Sequence, residues 1–221
     1  MKRVLLSWSS GKDSAWALHV LRQAPDVEVV GLLTTINRSA QRVAMHAVRK
    51  TLLEEQAAAT GLPVTILNLP WPCSNQEYEA ILGAACKKAV EDGIDVVAFG
   101  DLFLRDIRQY RERQMQGTGL EPLFPLWETP TDQLARDMMR AGLRARLTCV
   151  DLKKLPVNFA GREFDAQLLS DLPAGTDPCG EGGEFHTFCY AGPMFSAPID
   201  VVLGKVELRE GFAFADLIGR Q

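Results

Sequence analysis

Four apolar segments alternate with amphipathic segments over the first hundred residues. The apolar segments are nearly continuous, as is typical of strands covered on both faces, and they comprise residues 4–6, 27–35, 64–69 and 94–99. Between them, apolar residues recur at helical spacing, which predicts helices over residues 13–24, 43–60 and 75–93. Strands that alternate with helices predict a parallel sheet with right-handed crossovers, and therefore an α/β fold.

The pattern becomes less regular near Trp127, where we place a domain boundary. This divides the chain into residues 1–128 and a smaller domain of residues 129–221. The second domain is predicted to begin with a helix, for which Thr129 is the N-cap and Pro130 the first helical residue.

Alternating and β-branched residues predict strands in the rest of the second domain. The predicted strands cover residues 144–150, 199–209 and 212–218, and another begins at Phe185. A turn at Glu210–Gly211 joins the last two strands. We therefore expect a small α+β domain.

Composition and charge narrow the class of protein. The chain has 221 residues, 47% of them apolar, and a net charge of −4, which argues against general nucleic-acid binding. Five cysteines, without a Cys-x-x-Cys pair, favour free thiols in a reducing cytoplasm. We expect no signal peptide, because a strand follows Met1 directly, and no membrane span, because no apolar run approaches eighteen residues.

A cluster of small hydroxyl residues, Ser9–Ser14, separates the first strand from the first helix. A helix N-terminus attracts phosphate through its unpaired N–H groups and its dipole, and Gly11 allows a ligand to approach the backbone. The cluster is not a Walker P-loop, because Leu6 stands where that motif has its first glycine. The alternative interpretation is a serine-rich turn without a ligand.

Two other strand ends are predicted to share this edge of the sheet. Residues 34–37 and Gly100–Asp101 each follow an apolar segment, and ligands bind at the carboxyl ends of parallel strands. Downstream, residues 105–113 contain four arginines. They form either a solvated, salt-bridged helix face or a phosphate-binding group.

A second motif, residues 177–187, combines three glycines with Glu181, Glu184 and His186. Glycines beside titratable groups indicate a loop that approaches a ligand closely. A zinc site and a plain connecting loop are the alternatives; zinc would be held by Cys179, His186 and Cys189. The motif ends a stretch, Glu163–Glu184, with six acidic residues and no basic one, which indicates either surface patterning or a pocket for a cation.

Together, these motifs resemble the diphthine–ammonia ligase family over nearly the whole chain. The Ser9–Ser14 cluster is similar to the Ser-Gly-Gly-x-Asp-Ser loop of PP-loop ATP pyrophosphatases, except for Ser10 in place of a glycine. The second motif differs at Gly182, where the family often has Asn. The remaining matching positions are Met45-His46, Gly100-Asp101, Arg108, Glu112, Pro125-Leu126-Trp127 and Gly180–Thr187.

The resemblance implies a PP-loop domain, which is Rossmann-like and similar to adenine nucleotide alpha hydrolases, and a smaller C-terminal domain that binds substrate. It also implies an ATP-dependent ligase that forms a C–N bond and uses Mg²⁺. In that reaction the carboxylate of diphthine, a modified histidine of elongation factor 2, attacks the α-phosphate of ATP. Pyrophosphate leaves, and ammonia then displaces AMP. The carboxylate can thus be protein-borne, and free ammonium or a partner protein supplies the nitrogen.

The resemblance also assigns residues. Lys12 would offset charge at the α-phosphate, Asp13 would orient Mg²⁺, and Glu181, Glu184 and His186 would serve catalysis, one of them as a base. Nucleotide would be bound by Ser9, Ser10, Gly11, Lys12, Asp13, Ser14, Thr35, His46, Gly100 and Asp101. Substrate would be bound by Arg108, Glu112, Gly180, Glu181, Gly183, Glu184, His186 and Thr187.

Two other functions compete with this interpretation. PP-loop proteins also modify tRNA, although that class typically needs reactive cysteine pairs and a basic surface. A nucleotide-sensing module would keep the phosphate loop but would not need the second motif. A homodimer is one option for the oligomeric state.

Overall fold

The structure, a computed structural model, describes residues 1–220. Its elements, in chain order, are β1 (Lys2–Ser7), α1 (Lys12–Leu21), β2 (Val27–Asn37), β3 (Arg42–Val43), α2 (Lys50–Thr60), β4 (Val64–Leu69), α3 (Asn75–Glu91), β5 (Val96–Ala98), α4 (Arg105–Met115), β6 (Glu121–Leu123), α5 (Thr131–Arg140), β7 (Arg144–Asp151), a 3-10 turn (Val157–Phe159), α6 (Ala166–Asp171), β8 (Phe185–Ala191), β9 (Val201–Arg209) and β10 (Phe212–Gly219).

The first half of the chain forms a mostly parallel sheet, which confirms the predicted α/β class. Five strands run parallel in the order β4-β2-β1-β5-β6, and β3 pairs antiparallel with the end of β2. The chain builds outward from β1 in one direction and then returns to build from β5 in the other. The crevice at this reversal, beyond the carboxyl ends of β1 and β5, is where ligands bind in open α/β sheets.

Both faces of this sheet are covered, as the continuous apolar segments predict. Val4 and Leu6 of β1 are fully buried in a core that also contains Leu18 of α1 and Leu52 of α2. Leu5 points to the opposite face and packs against the cluster formed by α3, β5 and α4. Helices on both faces leave only the strand ends free to form a site.

The second half of the chain forms a separate antiparallel sheet in the order β8-β7-β10-β9. Its strands and α5 confirm the predicted mixed α and β content. Glu210 and Gly211 both have positive φ, 52° and 84°, as a tight turn between β9 and β10 requires. The apolar core runs without a break from Leu6 to Leu147 and Phe188, so the boundary at residue 129 stays a prediction.

The predicted helix over residues 43–60 is wrong at its beginning, because α2 starts only at Lys50. Met45 and Ala47 have φ of 58° and 55°, which a right-handed helix cannot contain. The Val43 N–H donates to the Val48 carbonyl at 2.8 Å and closes this segment into a loop. The loop carries His46 to the edge of the sheet.

Three smaller features of the fold concern α3, α5 and β6. The sequence Ser74-Asn75-Gln76-Glu77 is typical of a capping box, and the structure forms it at the start of α3. The N-cap of α5 is Pro130, not Thr129, and it has no side-chain cap. Residues 123–127 indicate only a short extended apolar segment in the sequence, yet β6 is the fifth parallel strand.

All five cysteines are free thiols. Within residues 1–220, every helix is too short or too polar to cross a lipid bilayer.

Candidate active site

The loop after β1 is held in an unusual conformation. Ser10 has φ of 65°, a left-handed conformation that glycine adopts without steric cost, which explains why PP-loops resembling this one have glycine there. The Ser10 carbonyl accepts hydrogen bonds from Cys189 N–H at 2.9 Å and from the buried Gln56 amide at 3.0 Å. Neighbouring elements thus fix the shape of the loop.

Two glycines allow other elements to reach this loop. A Cβ on Gly11 would lie 2.6 Å from Cε1 of His46, so the imidazole packs directly on the loop backbone. A Cβ on Gly100 would lie 3.1 Å from the backbone N of Ser14, so the end of β5 approaches the first turn of α1.

The second motif contacts the loop through β8. The Lys12 N–H, in the first turn of α1, donates to the Thr187 hydroxyl at 3.1 Å. The Thr187 carbonyl is 2.8 Å from Nδ1 of His46, whose proton is assigned to that nitrogen by this contact. Two motifs 170 residues apart in sequence therefore form one surface.

The cavity between them has a volume of about 310 Å³. The predicted site residues that line it are Ser9, Lys12, Asp13, Ser14, His46, Gly100, Asp101, Gly180, Glu181, His186 and Thr187. Ser10 and Gly11 shape the loop from behind, and Thr35 lines a smaller adjoining cavity. Four other predicted residues lie outside both cavities: Arg108, Glu112, Gly183 and Glu184.

Lys12 is almost fully buried, with 2% of its side chain exposed. Its ammonium contacts both Asp13 carboxylate oxygens, at 3.0 and 2.9 Å, and the Cys179 carbonyl. It also lies 5.4 and 5.5 Å from the ring centroids of Phe164 and Phe185. Burial alone lowers the pKa of Lys12, but the adjacent Asp13 outweighs it and the pKa is raised. The lysine therefore stays charged, and its predicted role at the α-phosphate stays a prediction.

Three carboxylates face the same cavity. Burial raises the pKa of Glu181 to about 7, and the charges of Asp13 and Asp101 add to this shift. The pKa of Asp101 is raised by burial too, against the opposing effect of Arg111. The Glu181 carboxylate accepts a hydrogen bond from Leu102 N–H at 2.8 Å, which orients it.

This donor set fits Mg²⁺, which prefers carboxylate and phosphate oxygens. Oδ2 of Asp101 is buried and forms no hydrogen bond, although it is ion-paired with Arg111, whose Nε lies 3.7 Å away. In the described part of the chain, no three side chains of His, Cys, Asp or Glu lie close enough together to hold a metal ion. Mg²⁺ sites at phosphates typically use one or two carboxylates together with the phosphate itself.

The rings of His46 and His186 are in contact, with centroids 4.8 Å apart and planes tilted by 43°. Burial lowers the pKa of His46 to about 4 and that of His186 to about 3. The nearby charge of Lys12 acts in the same direction. Both rings are therefore neutral at pH 7, and both line the cavity as weak proton acceptors.

Helix α4 presents Arg111, not Arg108, to the cavity. The Arg108 guanidinium lies 4.9 and 4.7 Å from the rings of Phe124 and Trp127, and it pairs with Glu112 at 2.8 Å. Residues 108 and 112 thus follow the salt-bridged alternative. Sequence reasoning missed Arg111, although it lies one turn before Met115, the one fully buried residue of α4.

Glu184 is turned away from the cavity, and its carboxylate folds back over its own loop. A Cβ on Gly182 would lie 2.7 Å from Oε1 of Glu184, so the glycine leaves room for this carboxylate. The thiols of the zinc alternative are also engaged elsewhere. Cys179 donates to the Thr131 carbonyl at 3.4 Å and Cys189 to the Ala191 carbonyl at 3.5 Å.

Only part of the acidic stretch, residues 163–184, lines a pocket. Glu163 pairs with Arg144 and Arg146, both at 3.3 Å, and Asp171 pairs with Arg162 at 2.6 Å. Arginines that precede the acidic stretch in the sequence thus neutralise these two acidic residues. Glu181 is the member of the stretch that lines the cavity.

Comparison with known families matches both halves of the chain. The diphthamide synthase N-terminal domain matches residues 1–122, and the diphthamide synthase C-terminal domain matches residues 130–217. The chain belongs to the diphthamide synthase family. The family resemblance predicted from the two motifs is confirmed.

The relatives to which the chain is similar are named diphthine–ammonia ligase. The chain is 30% identical to the diphthine–ammonia ligase of Homo sapiens over 152 residues, which is 65% of this chain and 55% of that protein. It is 28% identical to the diphthine–ammonia ligase of Bos taurus over 189 residues, which is 81% of this chain and 67% of that protein. The chain thus spans between about half and two thirds of the length of these relatives.

Proposed function

We propose that this protein is an ATP-dependent ligase that amidates a carboxylate through an acyl adenylate. It releases AMP and pyrophosphate and takes its nitrogen from ammonium. The observation that carries the proposal is the contact between the Ser9–Ser14 loop and the Gly180–Thr187 loop, which line one cavity. The relatives named diphthine–ammonia ligase support the same reaction, with diphthine as the candidate carboxylate.

The phosphate side of the cavity is built from hydroxyl groups and cations. The Ser9 and Ser14 hydroxyls lie 3.1 Å apart at the N-terminus of α1, where N–H groups and the helix dipole favour anions. Arg111 supplies a guanidinium at the same cavity. Asp101 and Asp13 would hold Mg²⁺, which supplies positive charge to the phosphates when it is bound.

The first step joins a carboxylate oxygen of the substrate to the α-phosphorus, while the bond from that phosphorus to the bridging oxygen of pyrophosphate breaks. Charge builds up at the α-phosphate oxygens in this step, and fixed cations stabilise it most when water is excluded. Lys12 and Arg111 are the two cations of the cavity. The burial of Lys12 makes it a preorganised charge that needs no reorientation.

In the second step, ammonia forms a bond to the acyl carbon and AMP leaves with the bonding electrons. The nitrogen loses a proton as the amide forms, and an unprotonated base is needed to accept it. Glu181 lines the cavity with a pKa of about 7 and is the better matched base, because the lowered pKa of His186 makes its imidazole a weak proton acceptor. Glu181 would also face the quaternary ammonium group of diphthine. Glu184 would not, because it lies outside the cavity.

Product analysis tests the proposal. The protein is incubated with ATP, Mg²⁺, ammonium and elongation factor 2 bearing diphthine, and the nucleotide products are separated. We expect AMP and pyrophosphate in equal amounts, formed only when both carboxylate and ammonium are present. Release of ADP would contradict adenylation, and turnover that requires tRNA would favour the tRNA-modifying alternative.

A further inference from the structure

Gln56 of α2 is a fully buried polar residue whose carboxamide joins three elements. The Trp8 indole N–H donates to its Oε1 at 2.7 Å. Its Nε2 donates to the carbonyls of Ser10, at 3.0 Å, and Cys189, at 2.6 Å. An indole nitrogen can only donate, so this contact assigns the oxygen of the carboxamide. Both protons of Nε2 are therefore directed at carbonyl groups.

The peptide between Ser10 and Gly11 is oriented by these contacts. A peptide unit is planar and trans, so its carbonyl and its N–H point in opposite directions. The Ser10 carbonyl points toward Gln56 and toward the Cys189 N–H. The Gly11 N–H therefore points the other way, where it donates to Oγ of Ser9 at 3.3 Å.

The Ser9 hydroxyl is the group that this peptide holds in place. Ser9 lines the larger cavity, and its Oγ lies 3.1 Å from Oγ of Ser14. If the Ser10–Gly11 peptide were turned over, a carbonyl would point toward the hydroxyl in place of an N–H, and the partial negative charge of a carbonyl repels phosphate. Ser10 depends on support from its neighbours, because its φ of 65° is unfavourable for a residue with a side chain.

We propose that Gln56 is a positioning residue for phosphate binding. Through the Ser10–Gly11 peptide, it holds the Ser9 hydroxyl toward the β- and γ-phosphates of ATP. The inference rests on the proposed function, which places the phosphates at the hydroxyls of Ser9 and Ser14. Gln56 lies outside both cavities and acts only through the loop, so its loss should affect the phosphates that the loop contacts and leave the rest of the nucleotide bound as before.

Calorimetric titration with two nucleotides, each in the presence of Mg²⁺, tests the inference without turnover. One is α,β-methylene-ATP, in which the bond between these phosphates resists cleavage, and the other is AMP, which lacks the β- and γ-phosphates. Gln56→Met keeps the size of the side chain and removes its hydrogen bonds. In this variant we expect the ATP analogue to bind about 10- to 100-fold more weakly and the affinity for AMP to change by no more than about threefold.

Two further variants serve as a control and as a milder test. Thr60 is also buried in α2, but its hydroxyl is bonded only near the end of that helix, to the Ala57 carbonyl at 2.6 Å and the Leu62 N–H at 3.2 Å. Thr60→Val should lower stability and leave both affinities unchanged. Trp8→Phe removes the indole N–H that orients the carboxamide, and it should weaken the ATP analogue about 3- to 10-fold relative to AMP.

The ratio of the two affinities decides the outcome. An equal loss for both ligands in Gln56→Met would overturn the inference, because it would indicate a general distortion of the site. Unchanged affinity for both ligands would also overturn it, and in either case the ligase proposal would stand. If Gln56→Met does not fold, Trp8→Phe decides by the same criterion. A wild type that binds the ATP analogue no more tightly than AMP would contradict the placement of the phosphates at the loop, and with it the proposed function.

Discussion

At the scale of single residues, the site depends on backbone conformations and close approaches. Ser10 adopts a left-handed conformation, and two hydrogen bonds to its carbonyl hold it there. Gly11 is needed for a different reason, because the His46 imidazole occupies the space that any side chain at position 11 would fill. A neutral histidine is thereby pressed against the phosphate loop.

Gly11→Ala should lower the free energy of unfolding by about 1–3 kcal/mol, because the added Cβ overlaps the His46 ring. The cost should be smaller in a His46→Ala background, where that ring is absent. Gly83→Ala, exposed in the middle of α3 with no atom near its Cβ, is the control and should stabilise by about 0.5–1 kcal/mol. Denaturant unfolding of the wild type, the three single variants and the Gly11→Ala/His46→Ala double variant measures these free energies. Additive costs of Gly11→Ala and His46→Ala would contradict the predicted overlap.

The two adjacent histidines, His46 and His186, should make stability depend on pH. Their folded-state pKa values, about 4 and about 3, lie below the usual 6.5, so between pH 6.5 and 4 the unfolded chain binds protons that the folded chain does not. As the pH is lowered through this range, the free energy of unfolding should therefore decrease, by up to about 1.4 kcal/mol per pH unit for each histidine. The raised carboxylate pKa values act in the opposite direction, so the difference between wild type and His186→Gln isolates the effect. An unchanged slope in His186→Gln would show that the ring is protonated normally.

At the scale of elements, the long apolar and amphipathic segments were predictable and the short ones were not. The strands β1, β2 and β4 and the capped helix α3 follow directly from their periodicity. Residues 43–49 carry apolar residues at helical spacing too, but positive φ at Met45 and Ala47 turns them into a loop. The strand β6 has only three residues, one of them Pro122, so tertiary pairing and not local pattern makes it a strand.

Helix α4 shows the same limit within the site. Its four arginines are equivalent in the sequence, and the structure brings Arg111, one turn before the buried Met115, to the cavity. The residues carried over from the family pattern, Arg108 and Glu112, pair with each other outside the cavity.

Arg111→Met should weaken ATP affinity by about 10- to 100-fold, because a charge-assisted contact to phosphate is lost. Arg108→Met removes the same charge from the same helix and should change ATP affinity by no more than about threefold. Titration of both variants with an ATP analogue makes the comparison. A larger loss in Arg108→Met than in Arg111→Met would return the phosphate role to Arg108.

At the scale of the whole molecule, the second sheet completes the site of the first. Strand β8 contacts the Ser9–Ser14 loop through Thr187 and Cys189, so the same hydrogen bonds hold both this loop and the Gly180–Thr187 segment in place. The sequence contains both motifs but not their contact, because nothing in either motif indicates that Lys12 N–H meets the Thr187 hydroxyl.

Thr187→Val should therefore destabilise the protein by about 1–3 kcal/mol, because a buried N–H loses its partner while the side-chain shape is kept. Thr187→Ser keeps the hydroxyl and should restore part of the loss. Chemical denaturation followed by tryptophan fluorescence measures both. If Thr187→Val is as stable as the wild type, the contact does not join the two halves of the molecule.

The central claim is that a substrate carboxylate attacks the α-phosphate of ATP, and isotope transfer tests it most directly. The carboxylate is labelled with oxygen-18, and the products are examined by mass spectrometry after turnover with ATP and ammonium. The account predicts that one labelled oxygen appears in the phosphate of AMP. Unlabelled AMP, or label in inorganic phosphate formed together with ADP, would contradict it.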